Sequence, residues 1–151
     1  MTPWSGDIHS GHNSQYLVDP YRFTHALHGF LFYALLRPLA GKFGRGTRLV
    51  VALALETLWE VIENSDAVIE RYRRATIALG YAGDSVVNSL GDIASCAVGF
   101  LIASRLPVRW SVLLFVEVEA ALLVVYRDCF LLNVLMLVRP VEAVKSWQMG
   151  G

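Results

Sequence analysis

The sequence predicts an all-α membrane protein, a polytopic transmembrane helical bundle with four spans plus a short C-terminal half-span or interfacial helix. Of its 151 residues, 55% are hydrophobic and 17% are charged. Soluble domains average about 45–50% apolar residues and about 25% charged residues. Thirteen basic residues balance thirteen acidic ones, so bulk charge gives no indication of nucleic-acid binding.

Four segments are long and apolar enough to cross a bilayer, which takes about 20 residues. They are residues 21–40, 47–64, 84–106 and 110–126. A shorter apolar run, 129–138, reaches only about 15 Å as a helix. It is a half-span, an interfacial helix or a continuation of the fourth helix. Core helices of soluble proteins are also apolar, but a chain this small has too much surface to hide four of them.

The chain divides into a polar N-terminal tail, residues 1–20, and a single transmembrane helical domain, residues 21–151. The tail lacks the basic and apolar regions of a signal peptide. Basic residues on short loops mark the cytoplasmic side, and six of them lie in the loops after the first and third helices. This pattern predicts a periplasmic N-terminus, whereas three arginines in the second loop argue for the reverse orientation. Residues 141–147 predict a short interfacial helix.

Polar residues collect at the ends of helices that an antiparallel bundle brings to one side. They are His25 and His28 on the first helix, Glu56, Glu60 and Glu63 on the second, and Asp84, Asn88 and Asp92 on the third. Spacings of three, four and seven residues place each set on one helix face. Ionisable groups in membrane segments are costly and usually face the bundle interior. We therefore expect one polar pocket near the outer face of the membrane.

The third helix carries a stripe of small residues. Gly91, Ser95 and Gly99 recur every four positions. Small residues at this interval let helices approach closely in lipid, so we expect the third helix to be central and tightly packed.

Four strings of sequence resemble a family of small bacterial inner-membrane proteins of unknown function. They are HGFLFY at 28–33, ETLWEVIENS at 56–65, ERYRRATIALGYAGDSVVNSLGD at 70–92 and RDCFLLNVLMLVRP at 127–140. The resemblance covers almost everything after the tail. It implies a multi-pass protein of the bacterial inner (plasma) membrane and no particular chemistry.

A looser resemblance extends to VanZ-like membrane proteins. The matching positions are Asp19, His25, Glu60, Asp84 and Asn88. VanZ-like proteins are linked to glycopeptide resistance and to cell-envelope phenotypes, so this resemblance implies a role at the envelope.

One hypothesis for the function is an enzyme acting on a phospholipid or a lipid-linked envelope intermediate. Clustered carboxylates raise one another's pKa, so one can act as a general acid and another as a base. The candidate catalytic residues are Glu60, Glu63, His25 and His28. The candidate substrate-binding residues are Asp84, Asn88, Asp92, Arg71, Arg73, Arg74 and Arg127.

The same histidines and acids are candidate ligands of a divalent metal, namely His25, His28, Glu60 and Glu63. Mixed carboxylate and imidazole ligands suit zinc, manganese or iron better than copper. Helical-bundle di-metal sites, however, carry Glu-x-x-His on one helix, and here the two residue types lie on different helices. The alternative is hydrogen bonding between imidazole and carboxylate that holds the helices in register.

The other hypothesis is a non-catalytic protein, either an accessory subunit of a larger membrane complex or a small carrier. Few spans favour a homo-oligomer or a subunit role. The expected partners are then the lipid bilayer and other membrane proteins, and no nucleic acid.

Several residues have simpler structural predictions. Asp84 or Ser85 caps the third helix, with a nucleophilic Ser85 as the less favoured alternative. Arg127 and Asp128 form an interfacial pair at a helix end, and Asn133 makes a hydrogen bond between helices. Glu117 and Glu119 are two residues apart, so only one of them faces the polar cluster.

Overall fold

The computed structural model describes residue 14 and residues 19–150, and every regular element within them is helical. The elements are α1 (Arg22–Leu36), α2 (Arg45–Glu63), α3 (Asp66–Ala75), α4 (Val86–Ala103), α5 (Val108–Tyr126), α6 (Phe130–Val138) and α7 (Glu142–Gln148). A short 3₁₀ turn, Arg37–Gly41, connects α1 to α2. The predicted all-α class is confirmed.

The four predicted spans correspond to α1, α2, α4 and α5. The first ends early, because Pro38 lies in the first turn of the 3₁₀ segment and a proline cannot continue an α-helix. Helix α3 was not predicted, because its residues were interpreted as a loop. This helix has Asp66 in its first turn and Arg73 and Arg74 in its last, an arrangement that complements the helix dipole.

Length and composition identify fewer spans than the sequence analysis expected. Within the part of the chain that the structure describes, α4 alone is long and apolar enough to cross a membrane. The pair α5 and α6 also qualifies if it is one span, bent by 73° at the break. A buried core helix of a soluble protein passes the same test. The four spans predicted from the sequence are therefore not shown by length and composition.

The core of the molecule is the contact between α1 and α4. Gly29 of α1 lies against the backbone of α4, where an added Cβ would come 2.1 Å from the carbonyl oxygen of Cys96. Gly99 of α4 lies equally close to the backbone of Ala26. Gly91 leaves room for the guanidinium of Arg22. The close approach expected from the small-residue stripe is therefore present, and it aligns the polar ends of the two helices.

The break between α5 and α6 is made by named contacts. Arg127 takes a left-handed conformation, with φ of 54°, and ends α5. The buried carboxylate of Glu119 then accepts hydrogen bonds from the backbone N–H groups of Phe130, at 2.9 Å, and Leu131, at 3.0 Å. A carboxylate at a helix N-terminus satisfies donors that have no partner within the helix. Residues 129–138 therefore do not continue the fourth helix in line, and of the two mid-helix acids it is Glu119 that faces inward while Glu117 is exposed.

The other end of α6 is fastened to α3. The Arg71 guanidinium donates to the carbonyl oxygen of Leu137 at 2.8 Å and to that of Val138 at 3.3 Å. These are among the last carbonyls of α6, which have no acceptor role within the helix. Helix α7, predicted at residues 141–147, is present, and Arg127 donates to its Trp147 carbonyl at 3.0 Å.

Candidate functional site

Two histidines of α1 share one glutamate of α2. The Nδ1 of His25 lies 2.6 Å from Glu56 Oε1, and the Nδ1 of His28 lies 2.9 Å from Glu56 Oε2. Glu56 is fully buried and His25 is 7% exposed. The predicted convergence of the first and second helices at their polar ends is therefore observed, and it includes the interhelical hydrogen bonding that was the alternative to a metal.

A second group joins α1, α2 and α4. His25 Nδ1 lies 3.4 Å from Glu60 Oε1, and Asp92 Oδ1 lies 3.8 Å from the Arg22 guanidinium. Glu60 and Asp92 are both buried. Within the described residues, neither Glu60 oxygen nor Asp92 Oδ1 has a partner in hydrogen-bonding geometry, which is unusual for buried polar atoms.

Asp19 anchors the start of α1 and reaches α4. Its Oδ1 accepts from the backbone N–H groups of Tyr21, at 2.9 Å, and Arg22, at 3.3 Å. Its Oδ2 accepts from the side-chain amide of Asn88 at 3.2 Å. A carboxylate at the N-terminus of a helix accepts hydrogen bonds from N–H groups that have no partner within the helix. Its negative charge also interacts favourably with the helix dipole. This arrangement fixes Asn88 beside α1.

A cavity of about 390 Å³ opens beside these groups. Its polar lining includes His25, His28, Glu63, Asp84, Asn88 and Asp92. Its apolar lining comes largely from α6, through Phe130, Val134, Leu137 and Val138, with Val68 of α3. Arg71 also lines the cavity, so α3 and α6 form one wall and the polar ends of α1, α2 and α4 form the other.

Two tyrosines cover the acidic wall of the cavity. Tyr81 donates to Asp84 Oδ2 at 3.0 Å, and burial raises its pKa, helped by the nearby Glu63 and Asp84. Burial likewise raises the pKa of Tyr72, helped by Glu63. Both phenols therefore stay protonated at neutral pH and act as hydrogen-bond donors toward the carboxylates.

The turn before α3 and the approach to α4 are fixed by Asn64. Its Oδ1 accepts from the Asp84 backbone N–H at 2.6 Å. Ser85, rather than Asp84, supplies the N-cap of α4, because its hydroxyl accepts from the Asn88 N–H at 3.2 Å. The capping prediction is confirmed for Ser85, and the Asp84 carboxylate is left to face the cavity.

Asp128 is the centre of a separate buried network and is not half of an interfacial pair with Arg127. It accepts from Tyr21 at 3.0 Å, Asn133 at 3.1 Å and Gln148 at 3.1 Å. The prediction for Asn133 was also wrong, because its amide donates to Asp128, which lies in the break before its own helix. The left-handed turn at Arg127 points the two neighbouring side chains in different directions, which the sequence does not show.

The structure places most of the predicted site residues in the cavity lining and leaves four of them outside it. Seven line the cavity: His25, His28, Glu63, Arg71, Asp84, Asn88 and Asp92. Glu60 lies behind that lining, beside His25. Arg73 donates to the Tyr81 carbonyl, Arg74 pairs with Glu70 on the surface, and Arg127 donates to Trp147, so these three arginines do not meet the cavity.

Two groups of side chains have the spacing of metal ligands. One ring nitrogen or carboxylate oxygen from each of His25, His28 and Glu56 lies within 4.8 Å of the others, and so do those of His25, Glu60 and Asp92. Of the four metal candidates named from the sequence, His25, His28 and Glu60 belong to these groups, and Glu63 belongs to neither.

Four residues of the site had no catalytic, binding or metal role in the sequence-based predictions: Glu56, Tyr21, Arg22 and Tyr72. Glu56 was predicted to share the polar stripe of Glu60 and Glu63, but no role was assigned to it. Tyr21 lies four residues before His25, and residues at that spacing share a helix face. No sequence pattern marked Tyr72 as a site residue, because the helix that carries it, α3, was not predicted.

The family model described as "Protein of unknown function (DUF2585)" matches residues 1–150. The chain belongs to the DUF2585 family. A relative named UPF0314 protein, from Paracoccus denitrificans, is 48% identical over 96% of this chain and 75% of its own length. One from Rhizobium meliloti is 49% identical over 97% and 75%.

A third relative, from Sphingopyxis alaskensis, is 46% identical over 98% of this chain and 79% of its own length. No solved structure matches this DUF2585 chain. The family resemblance expected from the sequence strings is thus confirmed, and the family brings no assigned activity, so the function has to be argued from the site.

Proposed function

We propose that this DUF2585 chain is a multi-pass protein of the bacterial inner membrane whose cavity receives the polar head of a membrane amphiphile, such as a phospholipid or a lipid-linked envelope intermediate. The observation that carries the proposal is a gradient of polarity in the cavity lining. Its buried part holds His25, Asn88 and Asp92, whereas Val134 and Val138 are 43% and 77% exposed. Such a lining suits a ligand with one polar and one apolar end.

The outer surface of the helices supports a bilayer environment. Large apolar side chains are more than half exposed on four helices, namely Val50 and Val61 of α2, Val86 and Leu90 of α4, Val124 and Val125 of α5, and Val138 of α6. Soluble monomers rarely expose contiguous apolar patches larger than a few hundred Å². In lipid the same side chains lie in their preferred surroundings.

The length of α6 supports entry of the ligand from the side. Its nine residues span about 14 Å, which is about half of a hydrocarbon core. Because α6 also supplies much of the apolar lining, the cavity borders the bilayer at a depth that a headgroup can reach.

The polar wall offers groups that can exchange protons with a bound head. Glu63 lines the cavity, and within the described residues its Oε2 has no hydrogen-bond partner. His28 lines the cavity opposite Phe130. We assign Glu63 and His28 as the acid and base candidates, with Arg71 as the cavity-lining cation for a phosphate.

The looser resemblance to VanZ-like proteins adds a lipid-linked envelope intermediate to a phospholipid as a candidate ligand. Four of the five matching positions meet at the site. Asp19 bonds Asn88, and His25 and Asp84 line the same cavity.

Native mass spectrometry of the chain purified in mild detergent tests this function. We expect one co-purified lipid per chain, and loss of most of it in Val134→Trp, because the indole fills the cavity mouth. Val124→Trp, on the exposed face of α5 and outside the cavity, is the matched control and should keep the lipid. Equal lipid in both variants, or none in the unmodified chain, would contradict the proposal.

A second candidate function is that of an accessory subunit in a larger membrane complex. It is supported by α5, in which only Glu119 and Leu122 are buried. Such a helix can face lipid or another subunit. Co-purification in mild detergent separates the two, because a clean homomer without partners would rule out the subunit role.

A further inference from the structure

We propose that the floor of the cavity binds one divalent cation, manganese or zinc, through His25, Glu60 and Asp92. This inference deepens the proposed function and rests on it for the role of the ion, which would lie where a bound phosphate head meets the buried wall. The geometry of the three side chains supports the site independently of that role.

The three ligands come from three helices and converge in space. His25 lies on α1, Glu60 on α2 and Asp92 on α4, and one ligand atom from each lies within 4.8 Å of the others. All three are at least nine-tenths buried, with exposures of 7%, 4% and 2%. His25 and Asp92 also line the cavity, which gives an ion a path from solvent.

Three carboxylate oxygens of this group lack hydrogen bonds. Both Glu60 oxygens and Asp92 Oδ1 have no partner in hydrogen-bonding geometry among the described residues. Their polar neighbours are His25 at 3.4 Å from Glu60 and Arg22 at 3.8 Å from Asp92, with the Ser89 hydroxyl also near Glu60. Leaving a buried carboxylate oxygen unpaired is costly, and coordination of a cation removes that cost.

The local charge also calls for a cation. Glu56, Glu60 and Asp92 are three buried carboxylates, and the Arg22 guanidinium pairs with Asp92 alone of the three. Buried charges are ordinarily paired or bound to metals.

The neighbouring trio of His25, His28 and Glu56 is the weaker metal site. Its atoms already bond one another, at 2.6 Å and 2.9 Å. Glu56 instead contacts the His25 ring at Nδ1, so an ion would be coordinated by the other ring nitrogen, Nε2. A carboxylate that orients a metal-binding histidine in this way is the usual outer-shell partner.

The ligand set selects the kind of ion. One imidazole and two carboxylates form a site of mixed nitrogen and oxygen donors without sulfur, which suits manganese or zinc and disfavours copper(I). The imidazole disfavours calcium, whose ligands are oxygens.

The test uses the full chain in detergent, stripped with a chelator and titrated with MnCl₂ or ZnCl₂ by calorimetry. We expect one ion per chain for at least one of the two metals. Glu60→Gln and Asp92→Asn should each weaken binding by about 10-fold or more. Glu117→Gln is the control, because Glu117 is an acid of α5 outside both metal-spaced groups and outside the cavity lining, and it should bind the metal as the unmodified chain does.

No saturable binding of either metal, or equal weakening by Glu117→Gln and Glu60→Gln, would overturn the site. Circular dichroism and thermal melting show whether the variants fold. If they do not fold, the X-ray absorption spectrum of the zinc-loaded unmodified chain decides. A shell with one imidazole supports the site, and a shell with two imidazoles overturns it in favour of the His25–His28 pair.

The lipid measurement separates the two proposals. A chain that keeps its lipid but binds no metal overturns the cation site alone. A chain that binds the metal but shows no lipid in native mass spectrometry overturns the amphiphile proposal and leaves the cation site standing.

Discussion

Gly99 of α4 lies so close to Ala26 of α1 that an added Cβ would come within 1.9 Å of the Ala26 carbonyl oxygen. The two helices therefore touch through their backbones, and this contact sets the position of every polar group at their shared end. His25 is next to Ala26 in the chain, so a shift of α1 against α4 moves His25 relative to Asp92.

Replacing Gly99 by Ala should destabilise the protein by about 1–3 kcal/mol, since overpacking a tight contact forces the backbones apart. Thermal unfolding in detergent measures the effect. Gly46→Ala is the control, because a Cβ at Gly46 of α2 meets nothing within 4 Å, and it should be neutral or stabilising. Equal melting temperatures for the two variants would show that the α1–α4 contact is looser than described.

Glu119→Gln should loosen the start of α6. Glu119 accepts from two backbone N–H groups, and an amide keeps one acceptor oxygen, so one buried donor loses its partner at a cost of about 1–3 kcal/mol. Cys129, buried at the N-cap of α6, should then react with thiol reagents roughly 10-fold faster, as this free energy implies.

Two internal comparisons accompany that measurement. Cys96 lies fully buried in α4 and should stay unreactive in both proteins. Glu117→Gln changes an exposed acid two residues away and should leave the Cys129 rate unchanged. A Cys129 rate that is the same in Glu119→Gln and Glu117→Gln would refute the capping role.

Stability should fall at alkaline pH because of Tyr72 and Tyr81. Burial raises the pKa of both phenols in the folded protein above the ordinary tyrosine value of 10.0. Above that pH the unfolded chain releases protons that the folded protein still holds, so unfolding becomes more favourable as pH rises. The contribution is fully present below pH 10 and is lost toward the higher folded pKa.

The double variant Tyr72→Phe/Tyr81→Phe should lose part of this alkaline dependence. The measurement is the free energy of unfolding as a function of pH, with phenolate absorbance recorded in parallel. A variant whose stability falls as steeply as that of the unmodified chain would show that other groups cause the alkaline loss.

The proposed orientation predicts the location of α3 and the loop that follows it. Alkaline phosphatase fused after residue 78 should be active, because that loop lies in the periplasm if the N-terminus does. A fusion after residue 42, in the basic loop between α1 and α2, should be inactive. The reverse pattern would place the cavity on the cytoplasmic side and leave its geometry unchanged.

The sequence was informative where a helix presents a regular stripe. The spacing of His25 and His28, and that of Glu56 and Glu60, predicted faces that the structure brings into contact. The small residues Gly91 and Gly99 predicted the close approach of helices. These inferences need only the helical repeat and antiparallel neighbours.

The sequence was uninformative where a contact depends on tertiary position. Tyr21 bonds Asp128 across 107 positions, and nothing local marks the pair. Arg71 bonds backbone carbonyls of α6, which have no sequence signature. Helix α3 was not predicted, because it is polar and amphipathic and a long apolar run does not identify such a helix.

The central claim is that the cavity holds the head of a membrane amphiphile, and photo-cross-linking tests it most directly. A phosphatidylethanolamine with a diazirine in its headgroup is reconstituted with the chain, irradiated, and the modified peptides are identified. We predict labels concentrated on the cavity-lining residues of α3 and α6, Arg71 and Asn133 among them, and their loss in Val134→Trp but not in Val124→Trp. Labels spread over the outer faces of α2 and α5, with none in the cavity, would contradict the account.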